Sequence, residues 1–448
     1  MKISFKICSL LFFIIIVFAA TNIYSNNFYS SNNQSANLAN VSINCADKLN
    51  GVKTMDGFLL SINSNDPPSE LITALSPKFW RISGNKNVLD RVESFGATPI
   101  FLMSDAFHYP ASHPLGWRKP NENIGGWGDT VKNIFTRHHY QGKTYIYDLW
   151  NEPNGKGFFD GTENDFFNVF KKAHDQIRLL PGGKDALISG PSTSKFDTAF
   201  IHHFLDYCLN NNIKLDILSW HEFREGDDVI KIKDDIQWVR KNWVNSSKYA
   251  PLKIKSIQIN EIIPRSGQYT PATILAYFYY LEKGGADAAC KACWAPLQSQ
   301  PGTKTNCFNN SLDGLVDPVT FGTRAAWWTY KYYNLSLKNR INSSSTNQNV
   351  VSFANYDTHK IKILLGYFGD KKPSDVGIKL SLSNINSVPN FSSKRTVNVK
   401  ITTIPNTGET VITNPTTITI ASQKIVNGNL SFQLPKLNLK EAYLVEIN

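Results

Sequence analysis

Short runs of alternating apolar and β-branched residues recur along the first three quarters of the chain. Those at 58–62, 79–83, 98–103, 145–150, 186–191, 215–221, 257–263 and 287–294 predict eight strands. Amphipathic stretches separate several of them. Residues 162–180 place Phe166, Phe167, Phe170, Ala173, Ile177 and Leu180 at helical spacing. Residues 198–210 repeat that pattern, as do 271–283, which open on Pro271 and close on Gly284-Gly285. Residues 318–333 predict a last helix. Strands alternating with helices point to an α/β chain folded as a (β/α)8 TIM barrel, here over 46–335. An open doubly wound sheet would want a Gly-rich phosphate turn after its first strand, and the sequence has none.

After Leu335 the texture changes. Seven short alternating runs separated by turn residues predict a small all-β sandwich over 336–448. Having no dense aromatic cluster, it is expected to pack against the barrel rather than bind sugar.

Two predicted strands end alike. Tyr145–Trp150 runs into Asn151-Glu152-Pro153-Asn154, and Ile257–Ile259 into Asn260-Glu261-Ile262-Ile263-Pro264. Proline cannot donate to a ladder, so each strand stops there and presents a glutamate at its carboxyl end. In a parallel barrel that end carries the chemistry. Two carboxyl groups across one mouth can break a glycosidic bond. One protonates the leaving oxygen, and the other meets the cationic carbon. A lone glutamate beside a proline would be an ordinary solvated loop residue.

Composition narrows the partners. The net charge is +11, but the 47 lysines and arginines are scattered and form no cluster dense enough for nucleic acid. The basic balance favours an anionic glycan over a neutral one. Residues 1–25 have Lys2 and Lys6 ahead of an apolar stretch, Leu10 to Ala20, shorter than the ~20 residues of a spanning helix. They predict a signal peptide, hence a secreted or periplasmic protein with no stable membrane insertion after cleavage. An uncleaved signal would leave it membrane-anchored. Residues 26–45 read as a flexible leader.

Beyond Cys8 in the signal, Cys45, Cys208, Cys290, Cys293 and Cys307 remain. Five is odd, so at least one thiol is free or pairs between chains. Cys290 and Cys293 have redox-motif spacing, but on a strand they face opposite sides. A zinc site would lack a nearby histidine and a second close pair. A Cys293–Cys307 bridge is favoured over both.

The order Arg81, Asn151-Glu152-Pro153, His221, Glu261 and Trp294 on successive strand ends resembles the retaining (β/α)8 glycosidases of clan A. Trp150–Asn154, Phe158–Thr162, Ser189–Thr193 and Leu215–His221 resemble family 39 within it. That family holds β-xylosidases, α-L-iduronidases and exopolysaccharide hydrolases. The resemblance covers roughly 57–335, and the trailing β domain also fits. It implies a secreted hydrolase of a polysaccharide or oligosaccharide that needs neither metal nor cofactor. Glu152 would be the acid/base, Glu261 the nucleophile and Asn151 the donor to the sugar 2-hydroxyl. Arg81 would keep Glu261 ionised, His221 would support the same region, and Trp294 would floor the sugar.

One position departs from the pattern. Phe223 stands where clan members commonly carry a hydroxyl-bearing aromatic, and Tyr269 is the candidate replacement. By position, His108, Tyr109, His113, Trp117, Glu222 and Arg224 are candidates to line subsites. The Phe223 departure also supports an alternative, a carbohydrate-binding protein on a glycosidase scaffold without turnover. A third reading is a surface protein that holds an anionic polymer by charge.

Overall fold

The computed structural model describes residues 38–83, 85–107, 118–139, 143, 145–370, 377–434 and 438–448. The predicted signal peptide, most of the predicted leader, and the positions His108, Tyr109, His113 and Trp117 lie outside them.

Eight parallel strands run in sequence order: β2 (Phe58–Leu59), β3 (Phe79–Ile82), β4 (Thr98–Leu102), β5 (Ile146–Asp148), β6 (Leu187–Thr193), β7 (Ile217–Glu222), β8 (Ser256–Ile262) and β9 (Ala288–Lys291). The ring closes at Gly57, which pairs with Cys290. Its N–H donates to the Ala289 carbonyl at 3.0 Å, and its carbonyl accepts from Lys291 N–H at 2.8 Å. A Cβ there would lie 2.6 Å from the Ala289 oxygen, so the seam needs glycine. This is the expected barrel, with each strand within a few residues of its predicted run.

The outer helices are α1 (Ser69–Thr73), α2 (Lys86–Ser94), α3 (Ile124–His139), α4 (Glu163–Arg178), α5 (Thr198–Asn210), α6 (Lys231–Val239), α7 (Pro271–Gly284) and α8 (Ala325–Leu335). A capping box between Thr162 and Asp165 opens α4, satisfying backbone donors that the helix itself cannot.

The β domain is one nine-stranded sheet rather than two separate ones. In sequence its strands are β1 (Ala39–Lys48), β10 (Arg340–Ser345), β11 (Val350–Tyr356), β12 (Ile361–Tyr367), β13 (Ile378–Ser383), β14 (Thr396–Ile404), β15 (Thr416–Lys424), β16 (Leu430–Gln433) and β17 (Ala442–Ile447). In space the order is β15-β14-β17-β12-β11-β10-β1-β13-β16. Its edge strands β15 and β16 approach each other, so the sheet curls around its own core of Val41, Ile43, Ile363, Leu380, Val399 and Val445.

The sequence reading put 39–45 in a flexible leader and began the barrel at residue 46. Instead β1 lies inside the sheet, antiparallel to β10 and parallel to β13. Its alternation, with Ala39, Val41, Ile43 and Cys45 buried, has the period of a one-face strand. The flanking Asn and Ser residues masked that pattern.

The other face of the sheet meets the barrel. Val351, Phe353, Leu364 and Leu444 join the barrel core, while their neighbours Val350, Ile363 and Val445 face the sheet's own core. α7 is caught between, apolar nearly all round, as expected of a helix covered on both sides. Among the described residues, no helix is long and apolar enough to cross a membrane.

Candidate active site

Strict alternation cannot aim two consecutive strand residues into one barrel mouth. Here β8 does so because its register shifts against β7: Trp220 pairs with Ile259, but His221 pairs with Glu261. The extra residue is Asn260. The resulting bulge lets both Asn260 and Glu261 reach inward. A second shift on β6, between Pro191 and Thr193, brings Ser192 inward. Glu152, just past β5, has φ +46°, a left-handed conformation uncommon for a non-glycine residue. Its N–H donates to the Ser192 carbonyl at 2.9 Å, which helps hold that turn.

Arg81 on β3 is fully buried at the centre. Its Nε donates to Asp148 Oδ2, its Nη1 to Glu261 Oε1 and its Nη2 to Asn151 Oδ1, each at 2.8 Å. Asp148 also accepts from Ser192 Oγ at 2.7 Å and from Asn260 Nδ2 at 2.9 Å. A buried guanidinium is tolerable only when its fork is matched this way. Opposite it, His221 Nδ1 lies 2.8 Å from Glu152 Oε1. Ligand atoms of Glu152, His221 and Glu261 all lie within 4.8 Å of one another. As donors the three could surround a divalent cation, but Arg81 already holds Glu261 and Glu152 already meets His221.

The protonation pattern follows from burial. Desolvation raises the Glu152 pKa, opposed only by the more distant charge of Arg81. Burial raises Glu261 too and outweighs the pull of His221 and Arg81, while the neighbouring Glu152 charge pushes it further up and the Arg81 hydrogen bond opposes it. Of the two carboxyls, Glu261 is the one that Arg81 hydrogen-bonds directly, while Glu152 faces the His221 imidazole. Burial pushes His221 down to about 4, so its imidazole is neutral at neutral pH.

A cavity of about 630 Å³ opens over this network. Asn151, Glu261 and Trp294 line it, with Asp105, Phe107, Phe158 and Phe308. Glu152 is not among the lining residues, but 15% of its side chain is exposed, against 13% for Glu261. Trp294 is fixed by its Nε1–H to the Ile263 carbonyl at 2.8 Å and by an edge contact with Phe223, ring centroids 4.8 Å apart. The Cys293–Cys307 disulfide, S–S 2.06 Å, forms part of the same wall. Cys45, Cys208 and Cys290 are free and buried.

Two expectations fail. The Tyr269 hydroxyl does not steady Glu261; it is buried and accepts from Asn306 Nδ2 at 3.1 Å, outside the cavity lining. A short 3-10 turn, Arg265–Gly267, follows β8, and Arg265 and Gln268 donate to the Ala295 carbonyl. Glu222 and Arg224 do not line the cavity either. They bond to each other at 3.1 Å, Glu222 also takes the Trp220 indole N–H, and Arg224 pairs with Asp235. His108 lies outside the described residues. Sequence reading missed Asp148, Ser192 and Asn260. A carboxylate inside an otherwise apolar strand needs a buried cation, so Asp148 carried a readable signal pointing to Arg81.

A family model described as glycosyl hydrolases family 39 matches residues 116–244, a span that includes Glu152 and His221. Over that span the chain resembles family 39. It is 27% identical over 162 residues to a beta-xylosidase of Caldicellulosiruptor saccharolyticus, a match covering 33% of this chain and 32% of that one. The matched stretch is thus about a third of the relative's length. Among solved structures, N2152 from Neocallimastix frontalis superposes with TM-score 0.73 at 20% identity, covering 92% of this chain and 99% of that one. A family 39 enzyme from Xanthomonas axonopodis pv. citri gives 0.63 at 12%, with 93% and 98% covered. At such identities the superpositions speak for the fold alone.

Proposed function

We propose that the protein is a retaining O-glycoside hydrolase acting on a xylose-containing oligosaccharide or polysaccharide, with Glu261 as nucleophile and Glu152 as acid/base. The observation that carries this is the pair of carboxyls with oxygens within 4.8 Å of one another beside one cavity. Retaining glycosidases need about 5–5.5 Å between their carboxyl groups, whereas inverting ones leave room for a water at about 6.5–9.5 Å.

Glu261, held as the anion by Arg81, attacks the anomeric carbon. Glu152 gives its proton to the departing oxygen. The covalent ester removes the charge of Glu261, the pKa of Glu152 falls, and Glu152 takes a proton from water in the second half. Neutral His221 suits this cycle. Its Nε2 is buried without a partner among the described residues. That favours the tautomer with the proton on Nδ1, donating to Glu152 Oε1 and leaving Oε2 to carry the catalytic proton. Arg81 occupies the carbonyl oxygen of the Asn151 amide, so its NH2 is the group offered to a sugar 2-hydroxyl.

Among the described residues Arg81 is the cation at the site and is shared among Asp148, Glu261 and Asn151, while Asp105 adds a carboxylate to the cavity wall. A neutral sugar therefore suits the scissile position, and xylose matches the activity named for the sequence relative. Negative groups on the substrate belong away from this point. Export to an oxidising compartment is part of the same proposal, supported by the apolar segment after Lys6 and by the Cys293–Cys307 disulfide.

The test uses xylo-oligosaccharides. Glu152→Gln and Glu261→Gln should each lower turnover by at least about 10²–10⁴-fold with the fold intact, and anomeric proton NMR should show the first product with its configuration kept. Full activity in either variant, or an inverted first product, refutes the assignment.

A further inference from the structure

A second cavity, of about 340 Å³, lies between α8 and the nine-stranded sheet and shares no residue with the catalytic cleft. Its floor on the barrel side is aromatic. Trp328 and Tyr332 are one helical turn apart on α8, half-buried, with ring centroids 5.9 Å apart and planes tilted by 40°. The Trp328 indole N–H donates to the Ile412 carbonyl at 3.2 Å, which fixes the ring. The sheet side is polar, with Asn355, Thr402, Asn414 and Thr417. Lys362, paired with Asp357 at 2.8 Å, and Lys400, 3.9 Å from Glu446, also line it, and Lys331 sits 4.7 Å over the Trp328 ring.

Aromatic rings beside amides and hydroxyls are what a sugar ring requires, with C–H faces on the rings and hydroxyls on the polar groups. The excess of ammonium groups sets this groove apart from the acidic cleft. One loop links the groove to the segment that follows Trp294. Residues 405–415, between β14 and β15, supply Asn414 at one end. Near the other, Glu409 Oε1 accepts from Leu297 N–H at 2.7 Å, in the segment that follows Trp294.

We propose that this groove is an accessory carbohydrate site that holds one or two sugar units of a xylan chain outside the cleft, with Lys362 and Lys400 favouring stretches that carry carboxylate substituents. The site rests on the proposed xylan-directed function, and the experiment separates the two.

The catalytically silent Glu261→Gln protein is run in native gels containing soluble glucuronoxylan, neutral arabinoxylan or no polymer. Expected is retardation by xylan that weakens about tenfold in apparent association constant with Tyr332→Ala, as loss of a sugar-stacking face implies. Lys400→Glu, a change at a half-exposed side chain, should weaken retention by glucuronoxylan more than by arabinoxylan. In the otherwise wild-type enzyme both changes should raise KM for polymeric xylan and leave kcat/KM for xylobiose unaltered. Retention and polymer KM that ignore both substitutions, in an enzyme that does cleave xylobiose, overturn the groove and spare the catalytic reading. Retention that depends on Tyr332 without any cleavage of xylobiose upholds the groove and refutes the xylosidic reading.

Discussion

Replacing Arg81 tests the electrostatic arrangement most directly. Its guanidinium donates to Glu261 at 2.8 Å, and both groups lie out of bulk water. A hydrogen bond to a charged group contributes about 1.5–3 kcal/mol. One pKa unit corresponds to about 1.4 kcal/mol, so removing the cation should raise the nucleophile's pKa by about 1–2 units. In the proposed double displacement Glu261 must be ionised to attack, so activity is lost as pH falls through that pKa. In Arg81→Met the acidic limb of the kcat/KM profile therefore moves to higher pH by about 1–2 units, while the basic limb, set by loss of the Glu152 proton, moves less. An aryl xyloside with a good leaving group is the substrate of choice, because its cleavage leans little on the acid. Arg81→Met also strands Asp148 inside the barrel, at a cost of about 3–5 kcal/mol typical of half-removed buried pairs. Arg81→Lys guards against simple unfolding. It keeps the charge but loses the three-way fork, and it should shift the limb by less than the methionine variant. A folded Arg81→Met enzyme whose acidic limb coincides with wild type would refute the role given to this residue.

Two further outcomes follow from the same geometry. Opening the Cys293–Cys307 bridge with paired serines frees a loop with a sequence separation of 14, worth about 3 kcal/mol of stability; because the bridge is part of the cavity wall, KM should rise more than kcat falls, and an unchanged melting temperature with unchanged KM would contradict this. Burial raises the Glu222 carboxyl from 4.5 to about 7 despite Arg224, so its contribution is full below the unfolded value and is lost as pH rises through the folded one. Relative to wild type, Glu222→Gln should gain about 3 kcal/mol between those pH values, read by denaturant unfolding, and a difference that stays flat with pH would exclude the effect.

The barrel strands were legible because each combines an apolar run with a stop, as in Ile146–Asp148 before Pro153. So were the two glutamates, since the proline after each fixes where the strand must end. The bulges at Asn260 and Ser192 were not legible. A bulge adds one residue without altering composition, and only the pairing partner reveals it. Their consequence, the convergence of Asn260, Ser192 and Arg81 on Asp148, was hidden with them. Tyr269 misled because nearness along the chain to Glu261 says nothing of the direction a turn takes. β10, with its run of serines, carried too little apolar alternation to stand out. β1 was lost for a related reason: alternation within an Asn- and Ser-rich stretch reads as polar until a sheet is there to bury half of it.

That last strand joins a segment ahead of the barrel to strands that follow it. During synthesis β1 emerges ahead of the barrel, yet its partners β10 and β13 appear only after the whole barrel has been made. The sheet must therefore mature late, with its opening segment waiting unpaired. A gene fragment spanning 336–448 would lack an interior strand of the sheet. Exchanging the β part between homologues would need two splice points rather than one, which ties its inheritance to that of the barrel.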